Sequence, residues 1–193
     1  MQLIFATNNA HKITEMQTAI GHAFELTGLK DAGIDIDIPE PHDTLEENAA
    51  EKSWTIYRKF GINCFSEDTG LEVFALNGEP GVKSARYAGD NREAGSNIEK
   101  LLSKLTGINN REARFRTIIS LIIEGKEFRF EGICTGSITS QPVGEGGFGY
   151  DAVFIPNGAV QTFAEMSLPE KNEYSHRRKA ADKLVQFLRQ LKP

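Results

Sequence analysis

The sequence predicts an α/β protein, one domain over residues 1–193 built around a mixed twisted β-sheet with flanking helices. Three observations carry this. Residues 2 to 6 are an apolar run that passes through a polar turn straight into helical spacing, the opening of a βα unit. Two β-rich runs, Phe115 to Ile123 and Phe128 to Ile138, flank Glu124-Gly125-Lys126, a hairpin signal that adds antiparallel pairing to the parallel kind. The chain closes with a helix from about Ser175 whose Ala180, Leu184, Val185, Leu188 and Leu191 form one apolar face.

The remaining elements follow in order. Ile13, Met16 and Ile20 recur at helical spacing and predict a helix from His11 to about Ile20. Short strand-like segments around Leu26 and from Ile34 to Ile38 lead into Pro39-Glu40-Pro41, which the two prolines make a loop. A helix is expected from about Thr44 to Lys59, then a short strand from Ile62 to Ser66. Ser66-Glu67-Asp68-Thr69-Gly70 reads as a charged break before a second strand over residues 71 to 76. Asn77-Gly78-Glu79-Pro80-Gly81 is a turn, Asn97 to Leu105 a helix ending before Gly107, and Ala152 to Ile155 a strand. Gly144-Glu145-Gly146-Gly147-Phe148-Gly149 is a flexible loop, and no repeat, low-complexity tract or linker interrupts the chain.

Composition narrows the classes of function. With 39% hydrophobic residues, 193 residues can bury a sizeable core. The charge balance, 22 basic against 27 acidic residues or −5, disfavours a surface that coats nucleic acid, which rewards clustered Lys and Arg. It permits a local cationic pocket for a small anion. No run of about 18 apolar residues predicts a membrane span. Met1 is followed at once by a strand-like segment instead of a leader, so the expected address is cytoplasmic. Cys64 and Cys134 lack C-x-x-C spacing and read as buried free thiols.

Polar clusters recur where strands end. In Thr7, Asn8, Asn9, Ala10, His11 and Lys12, amides, a hydroxyl and helix-start N–H groups can face one anion, with Lys12 adding charge. An ordinary N-cap beside a solvated lysine has the same residues, and no G-x-x-x-x-G-K-S/T loop is present. Glu67 and Asp68, with Glu40 and Glu47 upstream, can supply the one or two carboxylates that a Mg²⁺ site shares with substrate phosphates. Phe148-Gly149-Tyr150-Asp151 offers an aromatic ring for a base, or an aromatic corner that closes the core. Lys171, His176 and Arg177 stand near the start of the last helix, where cations oppose the dipole unless an anion is bound.

Six motifs in order resemble the inosine triphosphate pyrophosphatase family, the non-canonical purine or dITP/XTP pyrophosphatases. They are Thr7-x-Asn9-x-x-Lys12, Glu47-Asn48-Ala49-x-x-Lys52, Glu67-Asp68-Thr69-Gly70-Leu71, Gly81-Val82-x-Ser84-Ala85-Arg86-Tyr87-Ala88-Gly89, Gly147-Phe148-Gly149-Tyr150-Asp151 and Lys171-Asn172-x-x-Ser175-His176-Arg177. The resemblance implies an elongated two-lobed fold with the active site in the cleft, a homodimer, and Mg²⁺-dependent cleavage of a purine nucleoside triphosphate to monophosphate and pyrophosphate. It gives Asp68 the part of proton acceptor and metal ligand, and Glu40 that of the upstream metal ligand. Thr7 to Lys12, Lys52 and Thr69 would hold the triphosphate. Phe148 to Asp151, Lys171, His176 and Arg177 would surround base, sugar and phosphates.

Departures from the family pattern are mild. Glu67-Asp68-Thr69-Gly70 replaces a common Asp-Asp-Ser-Gly, keeping the second acid and the hydroxyl. Pro41-His42-Asp43 follows Glu40 where threonine and glycine are common, which leaves Glu47 as the alternative second ligand. A pyrophosphatase for other modified or canonical nucleotides, and a nucleotide sensor without catalysis, are the competing readings.

Overall fold

The computed structural model describes residues 2–21, 24–89 and 93–191. Its strands are β1 (Gln2–Phe5), β2 (Glu25–Gly28), β3 (Cys64–Val73), β4 (Pro80–Gly81), β5 (Glu112–Ile123), β6 (Lys126–Ile138) and β7 (Phe154–Pro156). Its helices are α1 (Ala10–Ile20), α2 (Leu45–Phe60), α3 (Ala94–Lys104), α4 (Leu168–Tyr174) and α5 (His176–Gln190). The strands form one mixed sheet in the order β2-β1-β3-β5-β6-β7, with β4 paired to β3. β1 runs parallel to β2 and β3, whereas β3–β4 and β6–β7 are antiparallel. The expected α/β class and mixed sheet are therefore present.

The chain divides into two compact units, Met1–Asp68 with Thr117–Gly132 and Arg177–Pro193, and Thr69–Arg116 with Ile133–His176. In the first, Phe5 and Phe65 stack at 4.5 Å and join Met16 and Ile20 of α1 and Ala180, Leu184 and Leu188 of α5 in one cluster. A second cluster collects Ala6, Leu29, Ile34, Cys64 and Ile56 of α2. The other unit centres on Leu71, Val73, Leu101, Phe115, Tyr150, Phe154 and Phe163.

Several expected elements differ. Residues 34–38 have no strand pairing, and Ile34 is buried from a coil. β3 is a single ten-residue strand that runs through Glu67-Asp68-Thr69-Gly70. These carboxylates have buried ionic partners, so the charge that reads as a break does not stop the strand. β3 then stops at Val73, and Phe74–Leu76 is a 3₁₀ turn closed by Asn77 at positive φ. Residues 151–153 are likewise a 3₁₀ turn before β7. The last helix begins one residue beyond Ser175, and Lys171 belongs to a separate helix, α4, started by a Ser167–Glu170 capping box. Leu191 lies past the end of α5 and is half exposed. Cys64 and Cys134 are buried free thiols, as expected.

Candidate active site

β3 is pleated, so successive side chains leave on opposite faces. Cys64, Ser66 and Asp68 point to α2: the Cys64 thiol donates to Ser53 O, Ser66 Oγ donates to Ala49 O, and Asp68 accepts from Lys52. Phe65 and Glu67 point the other way, toward α1 and α5, where Glu67 meets Arg177 and Lys12. Two acids adjacent in sequence thus serve two separate clusters.

On the α2 face, Lys52 Nζ donates to Glu40 Oε1 at 2.6 Å and to Asp68 Oδ1 at 2.8 Å. Lys52 and Asp68 are each 7% exposed. Burial disfavours the Lys52 ammonium, but the carboxylates of Asp68 and Glu40 outweigh it and raise its pKa. Burial pushes the Asp68 carboxyl above its ordinary value against the pull of Lys52 and Lys12, and Glu40 adds to the rise.

Asn48, one turn before Lys52 on the same helix face, clamps the loop that carries Glu40. It accepts from His42 N and donates to His42 O, both at 3.0 Å. Glu47, the alternative ligand, is engaged elsewhere: it accepts from Thr44 Oγ1 at 2.8 Å while Thr44 caps α2. Glu40, not Glu47, shares the cluster with Asp68.

On the opposite face, Arg177 Nε and Nη2 grip both oxygens of Glu67 at 2.8 and 2.9 Å, and Nη1 donates to Glu15. Lys12 Nζ lies 3.3 Å from Glu67 Oε1. Burial opposes the Glu67 charge, but Arg177 and Lys12 more than compensate and hold its pKa down at about 2. Arg177 itself is 2% exposed. The cation at the start of α5 therefore has anionic partners inside the protein, Glu67 and Glu15. Glu15 was not singled out from sequence, because its only local mark is a position three residues after Lys12 on α1.

Asn9 caps α1 by accepting from Lys12 N at 3.2 Å, and Asn9 N donates to Thr7 Oγ1. Thr7 and Lys12 are half-buried, while Asn8, Asn9, Ala10 and His11 are exposed, so the start of an eleven-residue helix faces solvent. The ordinary cap and the exposed anion-receptive terminus coexist here.

The second unit organises the glycine-rich motif. Asp151 accepts from Phe148 N at 2.9 Å and from Lys171 Nζ at 2.5 Å, and both ionic side chains are 5% exposed. The Lys171 ammonium lies 5.3 Å from the Phe148 ring centre and 5.2 Å from that of Phe163. Gly147, at φ +71°, approaches so closely that a Cβ would sit 2.1 Å from Asp151 Oδ2. Tyr150 is the aromatic corner: it is 3% exposed and its hydroxyl donates to Ser84 O at 2.9 Å. Burial also pushes its phenol pKa up. Phe148 and Gly149 are half-buried, as is Thr69 on β3. His176 is buried and stacked on Phe115 at 4.7 Å with 14° between the rings.

Fold and site together define a class: an α/β protein with two acids on one buried ammonium and an exposed, cation-bearing helix start, the equipment of phosphate-handling enzymes. The family assignment agrees. The sequence profile of the Ham1 family matches residues 3–187, and the chain belongs to that family. It is 47% identical over 188 residues to the dITP/XTP pyrophosphatase of Flavobacterium johnsoniae, covering 97% of this chain and 98% of that protein. It is 49% identical over 189 residues to the dITP/XTP pyrophosphatase of Porphyromonas gingivalis, covering 97% of each. The solved Staphylococcus aureus Ham1 protein matches all of both chains at 39% identity with a TM-score of 0.90. Among the described residues, no helix is long and apolar enough to cross a membrane.

Proposed function

We propose that this protein hydrolyses non-canonical purine nucleoside triphosphates, dITP and XTP with their ribo and deoxy counterparts, to the monophosphate and pyrophosphate. Such an activity removes deaminated purines from the nucleotide pool. The observation that carries the reading is the Glu40–Lys52–Asp68 cluster, in which Lys52 and Asp68 are buried and Glu40 is half-buried. It lies in a chain about 47–49% identical to dITP/XTP pyrophosphatases over nearly full length.

A triphosphate brings about four negative charges that repel an attacking hydroxide, and fixed cations lower that repulsion most where water is excluded. Lys52 and Lys12 are the cations placed for this, with the N–H groups opening α1 and the Thr7 and Thr69 hydroxyls as donors. Asp68 orients the attacking water and takes its proton at a carboxylate oxygen. Arg177 contributes through Glu67, which it fixes beside Lys12.

Glu40 and Asp68 fit a Mg²⁺ ion by their donor chemistry. Two hard carboxylate oxygens converge on one positive charge, and Mg²⁺ characteristically takes one or two carboxylates and completes its shell with water and phosphate. Among the described residues no group of three or more His, Cys, Asp or Glu offers an all-protein cage, in keeping with a shell shared with substrate. When bound, Mg²⁺ offsets phosphate charge and acidifies a coordinated water.

For base choice, a donor facing O6 of hypoxanthine or xanthine would be left against the amino group of adenine, and such an unpaired buried group supports large discrimination. Phe148, Asp151, Lys171 and His176 are the side chains assigned to the base and sugar. A homodimer in the cytoplasm belongs to the same reading; light scattering and cell fractionation test it.

The direct test is pyrophosphate release from ITP, dITP, XTP, GTP, ATP and dTTP, with Mg²⁺ and then with chelator. Turnover confined to the inosine and xanthine nucleotides and lost with chelator is expected. Equal rates on canonical nucleotides would overturn the base assignment, and no release from any would overturn the activity.

A further inference from the structure

We infer that Lys52 is the resident cation of the Glu40–Asp68 pair and is handed over to the nucleotide when a divalent ion binds, so that metal and nucleotide bind cooperatively. The inference rests on the nucleotide reading above for its second partner and on geometry alone for its first.

One oxygen of each carboxylate that would hold a metal, Glu40 Oε1 and Asp68 Oδ1, lies within 2.8 Å of a single atom, Lys52 Nζ. The cluster is built, not incidental. Asn48 pins the Glu40 loop at both the N–H and the carbonyl of His42, and β3 fixes Asp68, so neither acid is carried on a freely mobile segment. In this setting the ammonium does two things. It keeps a buried and a half-buried like charge together, which without a counter-ion would repel or protonate. It also stands where the acids converge, so a divalent ion on the same two oxygens meets a positive charge at contact range in a site screened little by water.

The way out is short. Lysine carries its charge on a flexible four-carbon stem, so Nζ can leave the carboxylates while α2 stays in place. A phosphate chain supplies the replacement anion. Metal alone must then displace Lys52 with nothing to receive it, whereas metal with nucleotide exchanges one ion pair for another. By linkage, whatever the nucleotide adds to metal affinity the metal adds to nucleotide affinity.

The test follows binding, not turnover. Free Mn²⁺ is titrated by electron paramagnetic resonance against the full-length wild type, Lys52→Met and Lys52→Gln, first with Mn²⁺ alone and then with α,β-methylene ITP. With Mn²⁺ alone, both variants are expected to bind about tenfold tighter than wild type or better, within the usual range of site coupling. Asp68→Asn added to Lys52→Met removes that gain. The analogue is expected to tighten Mn²⁺ binding to wild type by about tenfold or more and to the variants by less. Circular dichroism confirms folding, and Lys52→Gln serves should Lys52→Met not fold. Variants that bind Mn²⁺ alone no tighter than wild type overturn the inference, and so does a wild type indifferent to the analogue. The Mn²⁺-only arm contains no nucleotide. A gain there in a protein that cleaves neither ITP nor XTP would sink the substrate reading and leave the role of Lys52 on the carboxylates standing.

Discussion

Replacing Arg177 with methionine tests whether that side chain supports the site from within or touches the nucleotide. The guanidinium is almost fully buried and bonded to Glu67 through two nitrogens and to Glu15 through the third. Removing it leaves Glu67 with Lys12 alone, and breaking a buried ion pair from one side typically costs about 3–5 kcal/mol. Burial would raise the Glu67 carboxyl, but Arg177, together with Lys12, outweighs it and holds the group at about 2.

Because the folded pKa is depressed, that stability is complete above pH 4.5 and is lost as pH falls toward 2. In a chain of this length about 3 kcal/mol lowers Tm by about 6–12 °C. Melting curves should show that gap at pH 7 and a narrower one at pH 3, where wild type has surrendered part of the contribution. Glu67→Gln in the Arg177→Met background should recover part of the loss. An unchanged Tm at pH 7 with a selective loss of nucleotide affinity would refute the reasoning and return Arg177 to the ligand.

Four further outcomes are expected. Asp68→Asn should lose at least about a hundredfold in turnover, the usual worth of a positioned base, while still binding nucleotide by calorimetry; near-normal turnover would remove Asp68 from the chemistry. Gly147→Ala places a Cβ against Asp151 at positive φ, so it should cost about 1–2 kcal/mol and raise KM for ITP by disturbing the Asp151–Lys171 pair. An unaltered KM would show that this pair does not bear on the substrate. Tyr150→Phe should cost about 1 kcal/mol in urea unfolding and leave the ITP-to-ATP preference intact; a changed preference would mean that the hydroxyl reaches the base. Burial pushes the Cys64 thiol up to about 12, so a thiol reagent at pH 8 should label it only on unfolding, and rapid native labelling would contradict its placement.

Local periodicity made much of the fold legible. The βα opening, α2, the hairpin of β5 and β6, and the apolar face of α5 follow from repeats of about 2 and 3.6 residues that any short window displays. The ordered motifs carried the family and, with it, the candidate acids. What local reading misjudged were places where a distant partner overrides a local signal. Glu67-Asp68 looked like a break because two adjacent carboxylates are costly inside a sheet. The strand continues because Lys52, 16 residues before Asp68, and Arg177, 110 residues after Glu67, supply buried counter-charges. Residues 34–38 looked like a strand because their alternation is right, yet no neighbouring strand pairs with them.

By itself, then, the sequence determined which side chains are available, which faces of each helix and strand they share, and which family they belong to. Only the tertiary structure decided that Asp68 joins Glu40 on Lys52 while Glu67 turns to Arg177, that Tyr150 closes a core and that Glu47 is a helix-start residue. The physical reason is range. Periodicity and capping act over a turn or two of chain, whereas the pairing of buried charges depends on which strands and helices pack together, and packing joins residues that no local pattern connects.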